Sequence, residues 1–399
     1  MSEQGNRENG ARSVFGERYD AVICGASFAG LAAARELSGS GARVLVLDRY
    51  RIGRHATSAC GIPTDWLRAL GMIDLELQRF GELVVQTPGA RTVLDLPYTF
   101  STFDYDEVCK RLWSECDAEF EIAAVTGRSG GAKGADLTVV TDRGRVHAPL
   151  VLDALGWKRM LASGDHFQPV EAPLTRALEV HPRGNSNDLE VWVDRRYARA
   201  GYGWCFPADG ELRIGACSYW PRDHVRKGTD RLAADLGGEQ VRYQGNWIPH
   251  RLRPATEGGV FFAGDSAGQC LALTAEGIRT ALYFGIAAGR EFRAVFEGWQ
   301  SREQAAGRYA EFCEAHRRGF GVLLFFQRLI PWIPVRLLKP AFRVYKTQFL
   351  IDRTFNAYLR IAPPEFAGEH SADDEKGAGQ EQRDADHALR AERDFVKAE

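Results

Sequence analysis

"YDAVICGASFAGLAAARELSGSGARVLVLDR", residues 19–49, reads as a strand, a glycine turn, a helix and a second strand. Ala21 to Cys24 is a short apolar run. Gly25 to Gly30 (GASFAG) then opens an Ala- and Leu-rich helix that stops near Gly39 or Gly41, and Arg43 to Leu47 forms a second apolar run ending on Asp48. A βαβ unit of about 30 residues, with an acid about 20 residues past the glycines, is the arrangement of a dinucleotide fingerprint. Gly25 permits the tight turn and Gly30 lets helix and strand touch. The first helical turn, with Ser27, Phe28 and Ala29, offers free N–H groups and a positive dipole to a pyrophosphate. Asp48 is placed to accept from the ribose hydroxyls of an adenosine, with Arg49 beside it; this pair does not decide between FAD and NADP. Ser27 stands where the middle glycine of the fingerprint is usual.

The chain has 399 residues, 45% hydrophobic and 26% charged, enough to bury a large core in two or three lobes. A net charge of -2 gives no argument for a nucleic-acid partner. The polar opening "MSEQGNRENGARSVFGERYD" has no apolar export core, so a cytoplasmic location is expected. The eight cysteines are scattered, without a C-x-x-C pair or His at metal-ligand spacing, so no metal site is expected and most thiols should be reduced and buried.

Far downstream, "GGVFFAGDSAGQCLALTAEGIRTALYFG" (258–285) places an apolar strand before Gly264-Asp265 and a second glycine, Gly277, at the start of a helix whose first residue is Ile278. A third mark, a strand ending in "VLDALG", carries Asp153 and Gly156. One N-terminal fingerprint with a distant Gly-Asp resembles the flavoprotein superfamily that includes p-hydroxybenzoate hydroxylase and the geranylgeranyl reductases. The resemblance implies FAD as cofactor, Asp265 on a ribityl hydroxyl and the helix at Gly277 aimed at the flavin ring, where its dipole would stabilise the anionic reduced flavin. It also implies an α/β fold: a Rossmann-like FAD-binding domain with a parallel sheet, an antiparallel substrate sheet and a helical C-terminal region.

"GYGWCFPADGELRIGAC" (201–217) sets Tyr202, Trp204 and Phe206 on alternating positions of a strand, hence on one face. Such a wall fills an ordinary core or lines a pocket for something flat or greasy. Tyr202, Trp204, Phe206, Pro207 and Gly215 match the Y-x-W-x-F-P signature of archaeal geranylgeranyl reductases, with Cys217 in place of its last glycine. "SACGIP" (58–63) puts Cys60-Gly61 where those reductases carry a Cys-Gly loop near the flavin, and "LTAEGI" (273–278) resembles their P-L-T-G-E-G-I with Ala272 and Ala275 as replacements. Tyr105 occupies the place of an arginine that often contacts FAD. The GDSAG at 264–268 is nearer the reductase form than the hydroxylases' G-D-A-A-H.

The activity so implied is an FAD-dependent oxidoreductase that reduces carbon–carbon double bonds of an isoprenoid or other lipophilic substrate. Aromatic faces would shape a dry slot and stabilise a developing cation. Cys60 is the candidate proton donor and His55 a poorer one. The alternatives are an FAD-dependent monooxygenase or halogenase-like enzyme on an aromatic or terpenoid substrate, and a flavin-binding protein without turnover. With no second fingerprint, electrons should arrive from NAD(P)H docking transiently or from a reduced protein carrier.

Residues 317–360 hold nine Lys or Arg and one acid among Phe, Leu, Ile and Trp332, and prolines 331, 334 and 340 interrupt them. The segment suits peripheral contact with anionic lipid, or helices packed over the flavin domain with basic residues outward. The expected layout is a discontinuous FAD lobe (18–81, 104–157, 257–298), a substrate domain (82–103, 158–256), a C-terminal helical region (299–362) and disordered tails (1–17, 363–399). "GRSGGAKGAD" (127–136) reads as a surface turn.

Overall fold

The computed structural model describes residues 13–130, 136–162, 174–239 and 241–368. The opening motif forms β1 (Ala21–Cys24), α1 (Phe28–Glu36) and β2 (Val44–Asp48). There follow β3 (Gly61–Pro63), α2 (Thr64–Ala69) and a long hairpin, β4 (Glu76–Thr87) and β5 (Ala90–Phe103). Asp104 caps α3 (Tyr105–Ser114) by accepting from the Glu107 amide at 3.1 Å. Next come β6 (Glu119–Ile122), β7 (Val125–Gly130), β8 (Leu137–Thr141), β9 (Arg145–Ala148) and β10 (Leu150–Asp153). The second half of the sheet structure is β11 (Leu174–Val180), β12 (Leu189–Trp192), β13 (Gly201–Pro207), β14 (Leu212–Ser218), α4 (Val225–Asp235) and β15 (Gln244–Pro249). After β16 (Thr256–Glu257) and β17 (Val260–Phe262) the chain is helical: α5 (Ile278–Phe296), α6 (Arg302–Ala315), α7 (Arg317–Leu329), α8 (Val335–Tyr345), α9 (Gln348–Leu359) and α10 (Glu365–Gly368).

A six-stranded sheet runs β16-β17-β10-β1-β2-β6, parallel except for β16. Its central strands are apolar throughout because both faces are covered. Ala21 and Ile23 of β1 point into the core under α1 and α5, while Val22 and Cys24 face the core shared with the antiparallel sheet β7-β8-β9. α1 and α5 approach through small residues: a Cβ on Gly285 would overlap the Ala29 carbonyl, and one on Gly289 would lie 2.8 Å from that of Ala33.

The eight-stranded sheet, ordered β15-β11-β14-β13-β12-β4-β5-β3, is antiparallel except where β12 runs parallel to β4. Its membership departs from the expected boundary at Gly81. That glycine lies inside β4, at a register shift between Phe80 and Glu82, so it marks a bulge and not the end of a domain segment. β3, from within the segment 18–81, adds an edge strand.

The expected tails include ordered residues at their inner ends. The Gly16 amide donates to the Arg145 carbonyl at 2.7 Å, and Val14 and Phe15 pack on the core beneath β7-β8-β9. Phe366 packs on Tyr283, tilted, and stacks on Phe312, with ring centroids 4.4 and 5.6 Å away. An aromatic in a polar stretch still buries enough apolar area to dock its neighbours. Residues 1–12 and 369–399 lie outside the described residues, as do 131–135 of the expected surface turn, whose flanks are β7 and β8.

The C-terminal helices divide. α6 joins the parallel sheet, where the Tyr309 hydroxyl donates to the Phe262 carbonyl. α8 and α9 cover the antiparallel sheet, with Ile351, Phe342 and Phe355 against Val85 and Leu94, while the end of α9 reaches Glu276 and Arg279 at the start of α5. Among the described residues no helix is long and apolar enough to cross a membrane.

Candidate functional site

Both glycine-acid turns lie at the C-terminal edge of the parallel sheet, where such folds take ligands. Gly25 has φ +111°, and a Cβ there would overlap the Ala154 carbonyl; a Cβ on Gly30 would overlap that of Gly25. Ser27 is the extended N-cap of α1, and its side chain caps nothing. Its hydroxyl instead receives a hydrogen bond from Tyr105 at 3.0 Å, so the residue standing for the expected arginine reaches the same phosphate turn as a neutral group. Phe28 packs edge-on between Phe103 and Tyr105, and Ala29 faces Gly264. The Asp48 carboxylate accepts from the Ala26 and Tyr50 amides, both at 2.8 Å. The Arg49 guanidinium lies over Tyr50, which stacks on His55; burial first, and then Arg49, lower the pKa of that imidazole.

At the other end, Gly264 has φ +64° and leads into Asp265. Burial pushes the Asp265 carboxyl up to about 7, and among the described residues nothing hydrogen-bonds it. A Cβ on Gly277, the N-cap of α5, would lie 3.8 Å from Asp265 Oδ1, so this acid and the open helix end at Ile278 share one place. Asp153 does different work: it accepts from the Leu155 and Leu161 amides and from the Ser266 hydroxyl (2.7 Å), tying β10 to the turn. Gly156, at φ +84°, contributes its carbonyl to the same Ser266 hydroxyl. Two residues with side chains adopt left-handed backbone here, Cys60 (φ 53°) and Ala275 (φ 52°). Such strain gathers at functional turns.

The aromatic wall stands between those two strained turns. Tyr202, Trp204 and Phe206 pair with Cys217, Gly215 and Arg213, so three cross-strand rows share the face. A Cβ on Gly215 would overlap the Trp204 indole, which lies flat over it. Tyr202 donates to the Thr274 carbonyl, and Tyr219, two residues past Cys217 on the same face, donates to that of Leu273 at 2.6 Å. Phe206 flanks Gly61, where a Cβ would be 3.4 Å from the ring. Pro207 ends β13 and accepts from Thr102 through its carbonyl. Cys60 is buried, its thiol pushed up to about 12 by burial, with Sγ 3.2 Å from the Ser58 carbonyl. The wall therefore meets the Cys60 loop on one side and residues 273–278 on the other.

Three groups escape a reading of the sequence. Beside Trp204 on the same sheet face, Glu179 accepts from its indole N–H at 3.1 Å and also contacts His181. Arg213 crosses from Glu211 to the Ala59 and Phe103 carbonyls. Glu276 binds the fully buried Arg279 at 2.7 Å and the Tyr358 hydroxyl, fastening α9 to the turn beside Asp265. A fourth group, Tyr219, did carry a signal, its i+2 spacing from Cys217.

These features fit FAD: an unpartnered, half-buried carboxyl, two open helix ends on one sheet edge and a turn with no room for a Cβ. Fold and site agree with the FAD-binding arrangement that the sequence resemblance implies, and in sequence the chain is similar to geranylgeranyl reductases. It is 24% identical over 322 residues to digeranylgeranylglycerophospholipid reductase 2 of Methanothermobacter thermautotrophicus, covering 73% of this chain and 82% of that one. It is 24% identical over 320 residues to the digeranylgeranylglycerophospholipid reductase of Sulfolobus acidocaldarius, covering 70% of each. The crystal structure of a geranylgeranyl bacteriochlorophyll reductase-like protein from Thermoplasma acidophilum superposes with a TM-score of 0.76 at 17% identity, covering 89% of this chain and 99% of that one. No family model matches the chain.

Proposed function

We propose that the chain is an FAD-dependent reductase that saturates carbon–carbon double bonds of an isoprenoid or other lipophilic substrate. The observation that carries this reading is the aromatic wall wedged between the Cys60 loop and the 273–278 turn. When bound, the flavin supplies the hydride, replenished by NAD(P)H or a reduced protein carrier. Gly25, the first turn of α1 and Asp48 hold the nucleotide half; Asp265 and the Gly277–Ile278 helix end hold the ring half. Tyr202 and Tyr219 spend their hydroxyls on backbone carbonyls, so their rings offer apolar faces and exclude water from an alkene lying flat against them. Cys60 keeps its proton, because burial holds the thiol near 12.

The helical cover suits a substrate drawn from a bilayer. Phe325, Phe326, Trp332 (74% exposed), Leu337, Val344 and Phe349 are exposed among Arg328, Arg336, Lys339, Arg343 and Lys346. An apolar face with a basic fringe lies on anionic lipid. Sedimentation with phosphatidylglycerol vesicles should carry the protein down, and zwitterionic vesicles should do so far less.

The central test is anaerobic incubation of the reduced protein with prenyl lipids, read by mass spectrometry. Gain of two hydrogens per double bond is expected; oxygen-dependent gain of one oxygen atom would replace reduction by oxygenation. Trp204→Ala should lower turnover about 100-fold by unseating the alkene while FAD content holds. Equal loss of both would make Trp204 a support of the fold and not of the slot.

A further inference from the structure

We infer that His181 and Glu179 form a proton relay into the aromatic pocket from a separate cavity beside the wall, an inference that rests on the reductase reading. Glu179, Gly215 and Trp204 occupy one cross-strand row of β11, β14 and β13. Glu179 is buried, yet it accepts from three side chains: Trp204 Nε1 and His181 Nε2 at 3.1 Å each, and Gln244 Nε2 at 2.5 Å. The other ring nitrogen of His181 lies 2.9 Å from Glu211 Oε1. An imidazole that meets carboxylates at both nitrogens donates through both, which only the imidazolium can do. Burial lowers its affinity for the proton, but the two carboxylates outweigh burial and hold it at about 9.

His181 also lines an open cavity of about 650 Å³, with Arg183, Asp209, Glu211, Glu239 and Arg242 around it. Arg213, from the wall's own hairpin, and Arg242 share the Glu211 carboxylate at 3.3 and 3.0 Å. The pair thus bridges water in that cavity to the edge of Trp204. Buried ion clusters contribute little net stability, so packing alone is a weak reason for these charges beside a wall of aromatics.

Saturating an alkene adds one hydride to one carbon and one proton to its neighbour. The imidazolium passes its Nε2 proton to Glu179; the Glu179 O–H bond then breaks as the second C–H bond forms. The carboxylate is left as it began, and His181 takes a fresh proton from water in the cavity. No electrons move through the relay.

Two measurements on the FAD-loaded protein test this. In imidazole NMR, His181 should titrate well above the ordinary histidine range, and in Glu179→Gln its pKa should fall toward that range. In anaerobic single turnovers with a prenyl lipid, Glu179→Gln should slow reoxidation of the reduced flavin about 100-fold, with dithionite reduction unchanged. His181→Ala should be slowed similarly and recover when imidazole is added, since the cavity admits it; this arm stands even if Glu179→Gln does not fold. A wild-type rate in Glu179→Gln, or a slow His181→Ala that imidazole cannot restore, overturns the relay alone. Absence of any two-hydrogen product from the wild-type protein overturns the reductase reading and the relay with it.

Discussion

Asp48 ends β2 and Asp265 follows β17 of one parallel sheet, two strands three spacings apart, which is about 14 Å. Asp48 is already satisfied: two backbone amides of its own turns bond it before any ligand arrives. Asp265 has no such partner, and its carboxyl titrates near 7. On the proposed reading, the nucleotide end at Asp48 is built by the chain for itself and then borrowed by the cofactor, and the ring end at Asp265 is built at a cost that the cofactor offsets. Stability and cofactor retention should accordingly part company between the two turns.

The sharpest separation is between the glycines. Gly25→Ala combines φ +111° with overlap on a backbone carbonyl and should cost about 4 kcal/mol, enough to lose most of the folded protein. Gly264→Ala meets only side-chain methyls, those of Ala29 at 3.3 Å and Ala281 at 3.7 Å, and should cost about 1–2 kcal/mol. Urea unfolding of the cofactor-free proteins gives both numbers; equal losses would break the asymmetry. Among the acids, Asp48→Ala strands two amides and should destabilise the apoprotein by about 1–3 kcal/mol. Asp265→Asn should instead bear on pH. The folded Asp265 binds its proton more tightly than the unfolded one, near 7 against 3.8, so apoprotein stability should fall as pH rises from about 4 to about 7 and level off above. In Asp265→Asn that fall, up to about 1.4 kcal/mol per pH unit, should disappear, while FAD affinity drops.

What the residues disclose in sequence follows the same divide. Gly25, Gly30 and Asp48 belong to one contiguous unit whose spacing is dictated by a strand, a turn and a helix, and the wall follows from the period of a strand. Glu179 and Trp204 come together only because β11, β14 and β13 adopt one register, which no local pattern states. Tyr105 reaches Ser27 across 78 positions and Tyr358 reaches Glu276 across 82, through packing of helices whose order the sequence leaves open. Gly81 misled in the opposite sense: a glycine in a polar strand signals a break and a bulge alike.

The smallest effect bears most directly on why the ring end is costly. At the nucleotide turn the left-handed position is a glycine; at the ring end Cys60 and Ala275 carry side chains there. Relieving Ala275 by substitution with Gly removes about 1–2 kcal/mol of left-handed strain and adds back about 0.4–1 kcal/mol of unfolded-chain entropy. Ala275→Gly should therefore gain about 0.5–1 kcal/mol, a rise of one to a few degrees in Tm by the same scaling. It should also loosen the Thr274 carbonyl that receives Tyr202, so KM for a prenyl lipid should rise while FAD content is unchanged. A loss of stability instead would mean that the methyl of Ala275 packs for more than its backbone costs, and the strain would then belong to Cys60 alone.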